Sequence, residues 1–338
     1  MKKSISLVTG GAGFIGSHVA DHLIKMGHQV IILDDLSGGF QRNINAEAIF
    51  IKGSVTDKNL LKNIFDKYQI SYIFHLAAYA AEGLSHFIRE FNYTNNLLGS
   101  VNLINLAILH NVKHFVFTSS IAVYGANQTP MVESLDPKPE DPYGISKYAV
   151  ELDLKAAHEM FGLTYTVFRP HNVYGERQNH GDPYRNVLGI FINNIMLDKP
   201  MKVFGDGEQT RAFSYIDDVA PHIANCINIT NAKNEVINIG ADQPYSVNQL
   251  ASTIASAMGV KAAIVYLPPR KEVVNAFSDH TKAKKIFNIR KTTSLNGGVE
   301  KMVRWSKEIG PMKTKKFKNI EVAKNMPPSW QKLTDAAK

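Results

Sequence analysis

The chain carries the stretch VTGGAGFIGSH at residues 8–18, directly after a short apolar run. The apolar run predicts a buried strand, the glycines predict a tight turn, and residues 14–26 have the periodicity of a helix. Gly10 permits the turn, Gly13 lets backbone N–H groups approach a pyrophosphate at the positive helix end, and Gly16 lets helix and strand pack closely. Because the spacing is G-x-x-G-x-x-G and not G-x-G-x-x-G, some other strand-to-helix turn remains an alternative on these residues alone.

The next predicted strand, QVIIL at residues 29–33, ends in Asp34 and Asp35. A carboxylate about 20 residues past such glycines accepts hydrogen bonds from both hydroxyls of an adenosine ribose and repels a 2′-phosphate. The glycine turn and the carboxylate together predict a dinucleotide site that takes NAD in preference to NADP.

Apolar strands continue to alternate with amphipathic helices further along the chain. They are predicted as strand 48–52, helix 57–68, strand 71–75, helix 91–110 and strand 114–118. Strands that are apolar throughout and separated by helices favour a parallel sheet covered on both faces, which is a doubly wound α/β domain. Ligands bind beyond the carboxyl ends of such strands, where HLAA (75–78) and TSS (118–120) fall.

Composition limits the possible classes of protein. With 338 residues, 44% hydrophobic and 20% charged, the chain is long enough for one large or two coupled domains. It has a single cysteine, Cys226, no apolar signal core and no stretch of roughly 20 apolar residues. We therefore expect a cytoplasmic protein without a membrane partner. The net charge of +8 is spread out except at 282–285 and 313–318, which favours a solvated face over a nucleic-acid partner and also suits dianionic small substrates.

A proline-rich loop between Gly125 and Pro142 leads into Tyr143. A helix that starts directly after a proline places Tyr143 and Lys147, four residues apart, on one face. A free tyrosine titrates near 10, and about 4 kcal/mol of preferential phenolate stabilisation lowers its pKa by about 3 units. An adjacent ammonium and a cationic nicotinamide ring would supply this stabilisation, and Ser120 would hydrogen-bond the same substrate oxygen. The alternative for the pair is an exposed helix surface.

Six motifs together resemble the extended short-chain dehydrogenase/reductase family, in particular its UDP-hexose 4-epimerase branch. They are VTGGAGFIGSH, HLAA, TSSIAVYG, PYGISK, RPHNVYG and GDGEQTRAFSYIDDV. The resemblance implies a Rossmann fold with a smaller C-terminal α/β substrate-binding domain. It also implies that Tyr143 takes the proton of the sugar 4-hydroxyl while hydride passes from C4 to NAD, after which the 4-keto sugar turns over and is reduced on its opposite face. Lys147 would also hold the nicotinamide ribose, and Ser120 would share the proton path.

The resemblance assigns further roles to individual positions, with Tyr143, Lys147 and Ser120 as the catalytic residues and no metal. The implied cofactor-binding residues are Gly10, Gly13, Phe14, Ile15, Gly16, Asp34, Asp35, Ser54, Val55, Leu76, Ala77, Ala78, Asn96, Tyr143, Lys147 and His171. The implied substrate-binding residues are Ser120, Tyr143, Asn172, Val203, Phe204, Arg211, Arg270 and Ala276. Ser54 stands where the family usually has an aspartate. The two arginines would grip the diphosphate, because planar guanidinium groups suit phosphate oxygens.

Residues around the site separate the activities within the family. Dehydratases and decarboxylases need an acid just before V-Y-G, where this chain has Ile121 and Ala122. UDP-glucuronate epimerases tend to place a cationic or hydroxyl residue where Asn172 and Asn179 stand. Ala276 occupies a position where a bulky residue in the family excludes N-acetyl groups. We therefore expect room for UDP-N-acetylglucosamine as well as UDP-glucose.

The domains follow from the same resemblance. Residues 1–175 and a returning segment 212–240 would bind NAD, and residues 176–211 and 241–312 would bind the substrate. A basic extension, 313–338, would pack back through Trp330. Glu82 is unusual for its neighbourhood, and three roles remain open for it: a specificity residue, a catalytic auxiliary or an ordinary loop carboxylate.

A homodimer is implied through the helices at 91–110 and 145–160, with simple covering of the sheet as the alternative. His18 and His22 lie four residues apart, but zinc needs further convergent ligands, so we expect no metal. A catalytically idle NAD-binding sensor and a net reductase are the alternative functions. The sensor class usually lacks the Tyr-Lys pair, and a reductase would consume NADH stoichiometrically.

Overall fold

The computed structural model describes residues 3–269, 273–314 and 317–331. Its strands are β1 (Ile5–Thr9), β2 (Gln29–Asp34), β3 (Ile49–Lys52), β4 (Ile70–His75), β5 (His114–Thr118), β6 (Tyr165–Pro170), β7 (Val173–Tyr174), β8 (Met201–Phe204), β9 (Thr210–Ala212), β10 (Ser214–Tyr215), β11 (Glu235–Ile239), β12 (Pro244–Ser246), β13 (Ile264–Leu267) and β14 (Asn275–Ala276). A seven-stranded parallel sheet runs in the order β11-β6-β5-β4-β1-β2-β3. The predicted doubly wound parallel sheet is therefore confirmed.

Helices cover both faces of this sheet and build the second half of the molecule. They are α1 (Phe14–Lys25), α2 (Lys58–Lys67), α3 (Glu82–Ser85), α4 (Arg89–Tyr93), α5 (Gly99–Leu109), α6 (Pro142–Phe161), α7 (Val187–Met196), α8 (Ala220–Asn225), α9 (Val247–Met258), α10 (Thr281–Phe287), α11 (Leu295–Ile309) and α12 (Pro328–Gln331). Short 3₁₀ segments lie at Gln41–Asn43, Ile121–Tyr124, Ile216–Asp218, Cys226–Asn228 and Thr230–Ala232. The predicted bounds of the first strands and helices agree with these to within two residues, and the long helix predicted at 91–110 differs only in its interior.

That helix is not a uniform α-helix. It begins at Arg89, and a π segment, Thr94–Leu98, separates α4 from α5. Asn92 and Asn96 lie on the same buried side of this stretch, where the Asn96 amide donates to Asn92 Oδ1 at 2.8 Å. Apolar periodicity cannot distinguish an α turn from a π turn, so this segment could not be predicted from the residue pattern.

The core lies in two layers because successive residues of a buried strand point to opposite faces of the sheet. On one face, Val8 of β1 packs in a cluster that includes Leu23 of α1. On the other face, Leu7 packs with Leu103 of α5 and Leu154 of α6. The apolar runs that predicted the strands therefore serve both layers, and α6 is held against the sheet by its buried side.

Three smaller sheets lie after β6, and in the first of them β10 pairs in parallel with β7. β13 pairs in parallel with β8, and β12 and β14 flank β9 on either side. Within the three described ranges, no helix has the length and apolar character needed to cross a membrane. β11 returns to the edge of the main sheet and pairs with β6, so the second half of the chain is tied to the first.

His75 ends β4 in the interior and is held in its neutral form. Ser100 Oγ donates to Asn96 O at 2.7 Å, so it accepts a hydrogen bond from His75 Nε2 at 2.8 Å. His75 Nδ1 is then the acceptor for the Thr9 hydroxyl at 2.7 Å. Burial lowers the pKa of His75 to about 3, with a smaller contribution from the Lys147 charge.

This histidine makes the protein sensitive to acid. Because the pKa of His75 is lower in the folded chain, the unfolded chain binds a proton at this histidine at pH values where the folded chain does not. The stabilisation is therefore present above about pH 6.5 and is lost as the pH falls toward about 3. We expect His75→Gln to reduce the slope of unfolding free energy against pH by about 1.4 kcal/mol per pH unit between about pH 6 and 4, measured by urea titration. The exposed His110 supplies the control, His110→Gln, and an equal slope reduction in both variants would contradict the assignment.

Candidate active site

Tyr143 and Lys147 lie on the buried side of α6. The helix starts where Pro142 occupies its first turn and the Asp141 carboxylate accepts a hydrogen bond from Gly144 N at 3.0 Å. Tyr143 is 7% exposed and Lys147 is 2% exposed. These values are incompatible with the alternative of a surface helix pair.

Lys147 points at the carboxyl end of β5. Its Nζ donates to Thr118 O at 2.8 Å and lies 4.6 Å from the centroid of the Phe117 ring. The same Nζ is 5.8 Å from the centroid of the Tyr143 ring. Burial lowers the pKa of Lys147 to about 7, and the carboxylate of Glu151 opposes this shift. The ammonium is thus desolvated and held close to the phenol.

The electrostatics of Tyr143 are dominated by its burial. The sequence predicts a phenol whose pKa is lowered by the neighbouring ammonium together with a bound nicotinamide cation, and in the protein chain alone burial raises the pKa of Tyr143. A hydrogen bond with Ser120 acts in the opposite direction. Ser120 begins the 3₁₀ segment Ile121–Tyr124, and its Oγ also accepts from Ala122 N at 3.1 Å. The structure therefore brings all three predicted catalytic residues together.

The glycine turn has the close contacts that the motif predicts. Gly10 has φ +71°, and a Cβ added there would lie 2.7 Å from Ala77 N. A Cβ on Gly16 would lie 2.1 Å from Gly10 O, so helix α1 can approach the turn only without a side chain at that position. Gly13 caps α1 with its backbone. The turn, the start of α1 and the loop after β4 therefore form one tightly packed unit.

Asp34 is joined to that unit at the end of β2. Its carboxylate accepts from Ala12 N at 3.0 Å and from Leu36 N at 2.8 Å. Burial raises the pKa of Asp34, and these backbone hydrogen bonds oppose the shift. Asp35 is exposed and accepts from Ser37 N at 2.8 Å. Of the two predicted carboxylates, only Asp34 contacts the glycine turn.

Other predicted cofactor residues lie near this edge in supporting positions. Asn96 Oδ1 accepts from Tyr79 N at 2.8 Å, so the amide fixes the loop that follows HLAA. The Ser54 hydroxyl is engaged with Thr56 Oγ1 at 2.8 Å, and Val55 packs against Gly99. Phe14, Ile15 and Leu76 pack on one core cluster of the sheet, Ala77 packs on the other, and Ala78 follows directly on the chain.

His171 follows β6 and is completely enclosed. Its Nδ1 donates to Ala212 O at 3.0 Å, and its Nε2 lies 3.0 Å from His280 Nε2. Burial lowers the pKa of His171 to about 3, and the nearby His280 contributes in the same direction. His280 in turn contacts the Asp242 carboxylate at 2.8 Å. The predicted cofactor residue is therefore tied to the second half of the chain.

The predicted substrate residues fall into two groups. Asn172, in the left-handed region at φ 39°, donates to Ala212 O at 3.2 Å, directly beside Arg211. The Arg211 guanidinium donates to Val273 O and Val274 O, and Ala276 lies opposite Arg211 in the β9–β14 register. Ala276 also packs in the cluster with Ile121, next to Ser120.

The second group lies on the separate sheet formed by β8 and β13. Val203 is buried and pairs with Tyr266, and Phe204 is half-buried and pairs with Leu267. Arg270 lies outside the described residues. In the part of the chain that the structure describes, no group of three His, Cys, Asp or Glu side chains is arranged to hold a metal ion.

The sequence reasoning missed a buried ion pair beneath Lys147. Arg169 donates through Nε to Glu151 Oε1 at 3.0 Å and through Nη2 to Glu151 Oε2, and Ser119 donates to the same carboxylate. The ring of Tyr124 lies 4.7 Å from the guanidinium carbon. The spacing of Glu151, four residues after Lys147, could have placed a carboxylate on the buried side of this helix, but it does not identify Arg169 as the partner.

Comparison with known proteins gives a consistent result. The sequence profile of the NAD dependent epimerase/dehydratase family matches residues 6–240. A putative UDP-glucose 4-epimerase of Methanocaldococcus jannaschii is 38% identical over 89% of this chain and 98% of its own length. A UDP-glucuronate 4-epimerase of Thermodesulfobacterium geofontis is 33% identical over 95% of this chain and 98% of its own. The crystal structure of a UDP-glucose 4-epimerase with UDP-glucose from Thermotoga maritima has a TM-score of 0.86 at 38% identity, covering 90% of this chain and 99% of that chain.

Proposed function

Because this chain belongs to the NAD dependent epimerase/dehydratase family, we propose that it inverts C4 of a UDP-hexose by transient oxidation to the 4-keto sugar. NAD is the cofactor. The proposal rests on the buried convergence of Tyr143, Lys147 and Ser120 beyond the end of β5. It assigns NAD to residues 1–175 and 212–240, and the sugar nucleotide to residues 176–211 and 241–312.

The residues at the strand ends fit a bound dinucleotide. The turn around Gly10 and Gly16 has no room for side chains, and the buried Asp34 carboxylate lies against it. Among the described residues, the buried Thr118 Oγ1 beside Lys147 has no hydrogen-bond partner. Asp34 would hold the adenosine ribose, the turn would hold the pyrophosphate, and Lys147 would hold the nicotinamide ribose.

The chemistry of the chain then follows from its own side chains. Tyr143 takes the proton of the sugar 4-hydroxyl and returns it, while Ser120 hydrogen-bonds the same oxygen. Because burial raises the pKa of Tyr143, proton removal depends on positive charge around the phenol. The Arg185 charge acts in that direction, and Lys147 Nζ, 5.8 Å from the ring centroid, is the nearby group to which we assign the same role. Bound NAD supplies the hydride acceptor and donor.

We propose the UDP-glucose and UDP-galactose pair, or the corresponding N-acetyl pair, as substrates. Ile121 and Ala122 stand before Val123-Tyr124-Gly125 and cannot transfer protons, which argues against dehydratase and decarboxylase activity. The small, buried Ala276 beside Ile121 supports room for an N-acetyl group.

The test is to incubate purified protein with a panel of UDP- and GDP-sugars and to separate the products by chromatography. We expect UDP-glucose and UDP-galactose, or their N-acetyl forms, to equilibrate with no net change in cofactor. Stoichiometric consumption of added NADH would identify a reductase. Failure to convert any nucleotide sugar by protein that retains NAD would identify a sensor or scaffold.

Asp34 gives a prediction for cofactor binding. We expect Asp34→Ala to weaken NAD binding by about two orders of magnitude or more, because each hydrogen bond to a carboxylate contributes about 1.5–3 kcal/mol. The measurement is calorimetric titration of NAD into cofactor-free protein. Ser37→Ala, an exposed change in the same loop, is the matched control and should bind like the original protein. Equal affinity in Asp34→Ala would contradict the role given to the carboxylate.

We also propose a homodimer through α5 and α6. Large apolar side chains on and beside these helices are exposed, namely Leu98, Leu109, Ile145, Leu152, Met160 and Phe161. We expect Leu152→Glu to convert a dimer into a monomer in light scattering, because a charge buried at an apolar interface is strongly unfavourable. Val260→Glu changes an exposed apolar residue after α9 and should leave the dimer intact. A wild-type monomer would contradict the proposal.

A further inference from the structure

The last described segment, residues 317–331, packs across the loop that borders Tyr143; we name it the C-terminal strap. Trp330 and Met326 are buried in one cluster with Ala81, Leu84 and Ile88. The ring centroid of Trp330 lies 6.3 Å from that of Phe87, with the rings edge to face. The strap is therefore part of the core on this side of the molecule.

Hydrogen bonds fix the strap in register with the start of α4. The Glu321 carboxylate accepts from Glu90 N at 2.7 Å and from Phe91 N at 2.9 Å, which satisfies N–H groups in the first turn of that helix. The backbone N–H groups of Glu321 and Val322 both donate to Phe87 O, at 2.9 and 3.2 Å. Apolar packing and hydrogen bonds thus hold the same segment.

The segment held by the strap is bonded directly to the start of the catalytic helix. Ser85 Oγ donates to Asp141 Oδ1 at 3.2 Å, and the same oxygen caps α6 at Gly144 N. Asn92 Nδ2 donates to Pro142 O at 2.8 Å. Tyr143 lies between these anchored residues, so displacement of Ser85 or Asn92 moves the backbone that carries the phenol.

Trp330 also contacts a second segment, the loop at 182–185 before α7. Its ring centroid lies 5.5 Å from that of Tyr184, the neighbour of Arg185. The Arg185 guanidinium lies 4.9 Å from the centroid of the Tyr79 ring and pairs with Asp182. The charge of Arg185 acts on Tyr143, so the loop at 182–185 lies within electrostatic reach of the phenol.

The 82–93 segment also contacts the Trp330 indole closely. A Cβ on Gly83 would lie 3.0 Å from the Trp330 ring, so the glycine permits this approach. Glu82, directly before it, also acts electrostatically on Tyr143. The indole therefore lies between the 82–93 segment and the loop at 182–185. Glu82 in the first and Arg185 in the second both act electrostatically on Tyr143.

We propose that Trp330 is a positioning residue. It sets the placement of Tyr143 by joining the 82–93 segment to the loop at 182–185. The inference rests on the proposed epimerase function for its catalytic consequence only. Removal of the indole should leave the fold and the cofactor in place while the start of α6 loses its fixed geometry. A misplacement of about 1 Å costs a catalytic step about 100-fold, so kcat should fall more than KM changes.

The test compares Trp330→Ala, Trp330→Phe and Val322→Ala as purified with NAD. Val322 is an exposed strap residue whose side chain is outside the Trp330 cluster, so it is the matched control. Hydrogen exchange should accelerate about tenfold or more at residues 82–93 and 141–146 in Trp330→Ala, and not in β1 or β5. Trp330→Phe should restore most of the protection. Unchanged exchange at both segments, or equal acceleration throughout the chain, overturns the proposal.

The kinetic arm separates this inference from the proposed function. If the original protein turns over a UDP-sugar, Trp330→Ala should lower kcat by about 10- to 100-fold, with KM changed by less than about threefold. Local acceleration of exchange with unchanged kcat overturns the positioning role. If the original protein turns over no UDP-sugar, the proposed function fails, and the exchange data alone decide whether the strap holds the start of α6.

Discussion

Tyr143→Phe is expected to lower kcat/KM for the UDP-sugar by about 10²- to 10⁴-fold, the range by which a positioned acid-base group accelerates proton transfer. The substitution removes one oxygen from a side chain that is buried against the end of β5, and it keeps the ring that packs there. Most of the NAD affinity should be retained, because Asp34 and the glycine turn, which would hold the adenosine end, lie at β1 and β2 and are unchanged. The measurement is initial-rate kinetics with chromatographic product detection.

Tyr148→Phe is the matched control for this change. Tyr148 follows Lys147 on the same helix and is half-buried, and it has no part in the proposed proton path. A variant at position 143 that keeps full activity would exclude the mechanism. Equal loss in both variants would indicate damage to α6 and not to the chemistry.

Arg169→Met is expected to lower the free energy of unfolding by about 3–5 kcal/mol, the largest stability effect among these predictions. The Arg169 and Glu151 side chains are only 4% and 5% exposed, so water cannot replace the lost partner. The Ser119 hydroxyl still donates to the Glu151 carboxylate and Lys147 is nearby, but neither replaces the two hydrogen bonds that Arg169 makes. The measurement is urea unfolding of the variant and the original protein in the presence of saturating NAD.

The double variant Glu151→Leu, Arg169→Met provides the decisive comparison. Replacement of a buried ion pair by apolar residues of similar volume is often neutral, whereas removal of one partner leaves an uncompensated charge. We expect the double variant to be more stable than Arg169→Met. If Arg169→Met lowers the free energy of unfolding by less than about 1 kcal/mol, the pair behaves like a surface salt bridge, which would contradict its assignment as a buried ion pair.

Much of the fold could be predicted because its determinants are local. Strands buried on both faces are apolar throughout, and a turn such as Gly10–Gly16 needs glycines for steric reasons that the sequence states directly. The place of Ser120 at the ligand edge was predictable, since it follows β5 and the carboxyl ends of parallel strands meet at one edge. The position of Lys147 followed from helical spacing.

Other features depend on contacts between distant segments. Glu151 and Arg169 are 18 residues apart, and neither has a local pattern that predicts its partner. Trp330 was expected to pack back on the molecule, but its neighbours Gly83 and Tyr184 belong to two separate segments, helix α3 and the loop before α7. The raised pKa of Tyr143 could not be predicted either, because it depends on how completely the ring is enclosed.

The π segment Thr94–Leu98 sets the rotation of α4 relative to α5 about their common axis. An α-helix turns by about 100° per residue, so the deletion of one residue here would rotate everything before it by that angle about the axis. Asn92 would swing away from Pro142 O, and the Glu321 carboxylate would no longer face the first turn of α4. A homologous chain that lacks the extra residue must therefore anchor the start of its catalytic helix by other means.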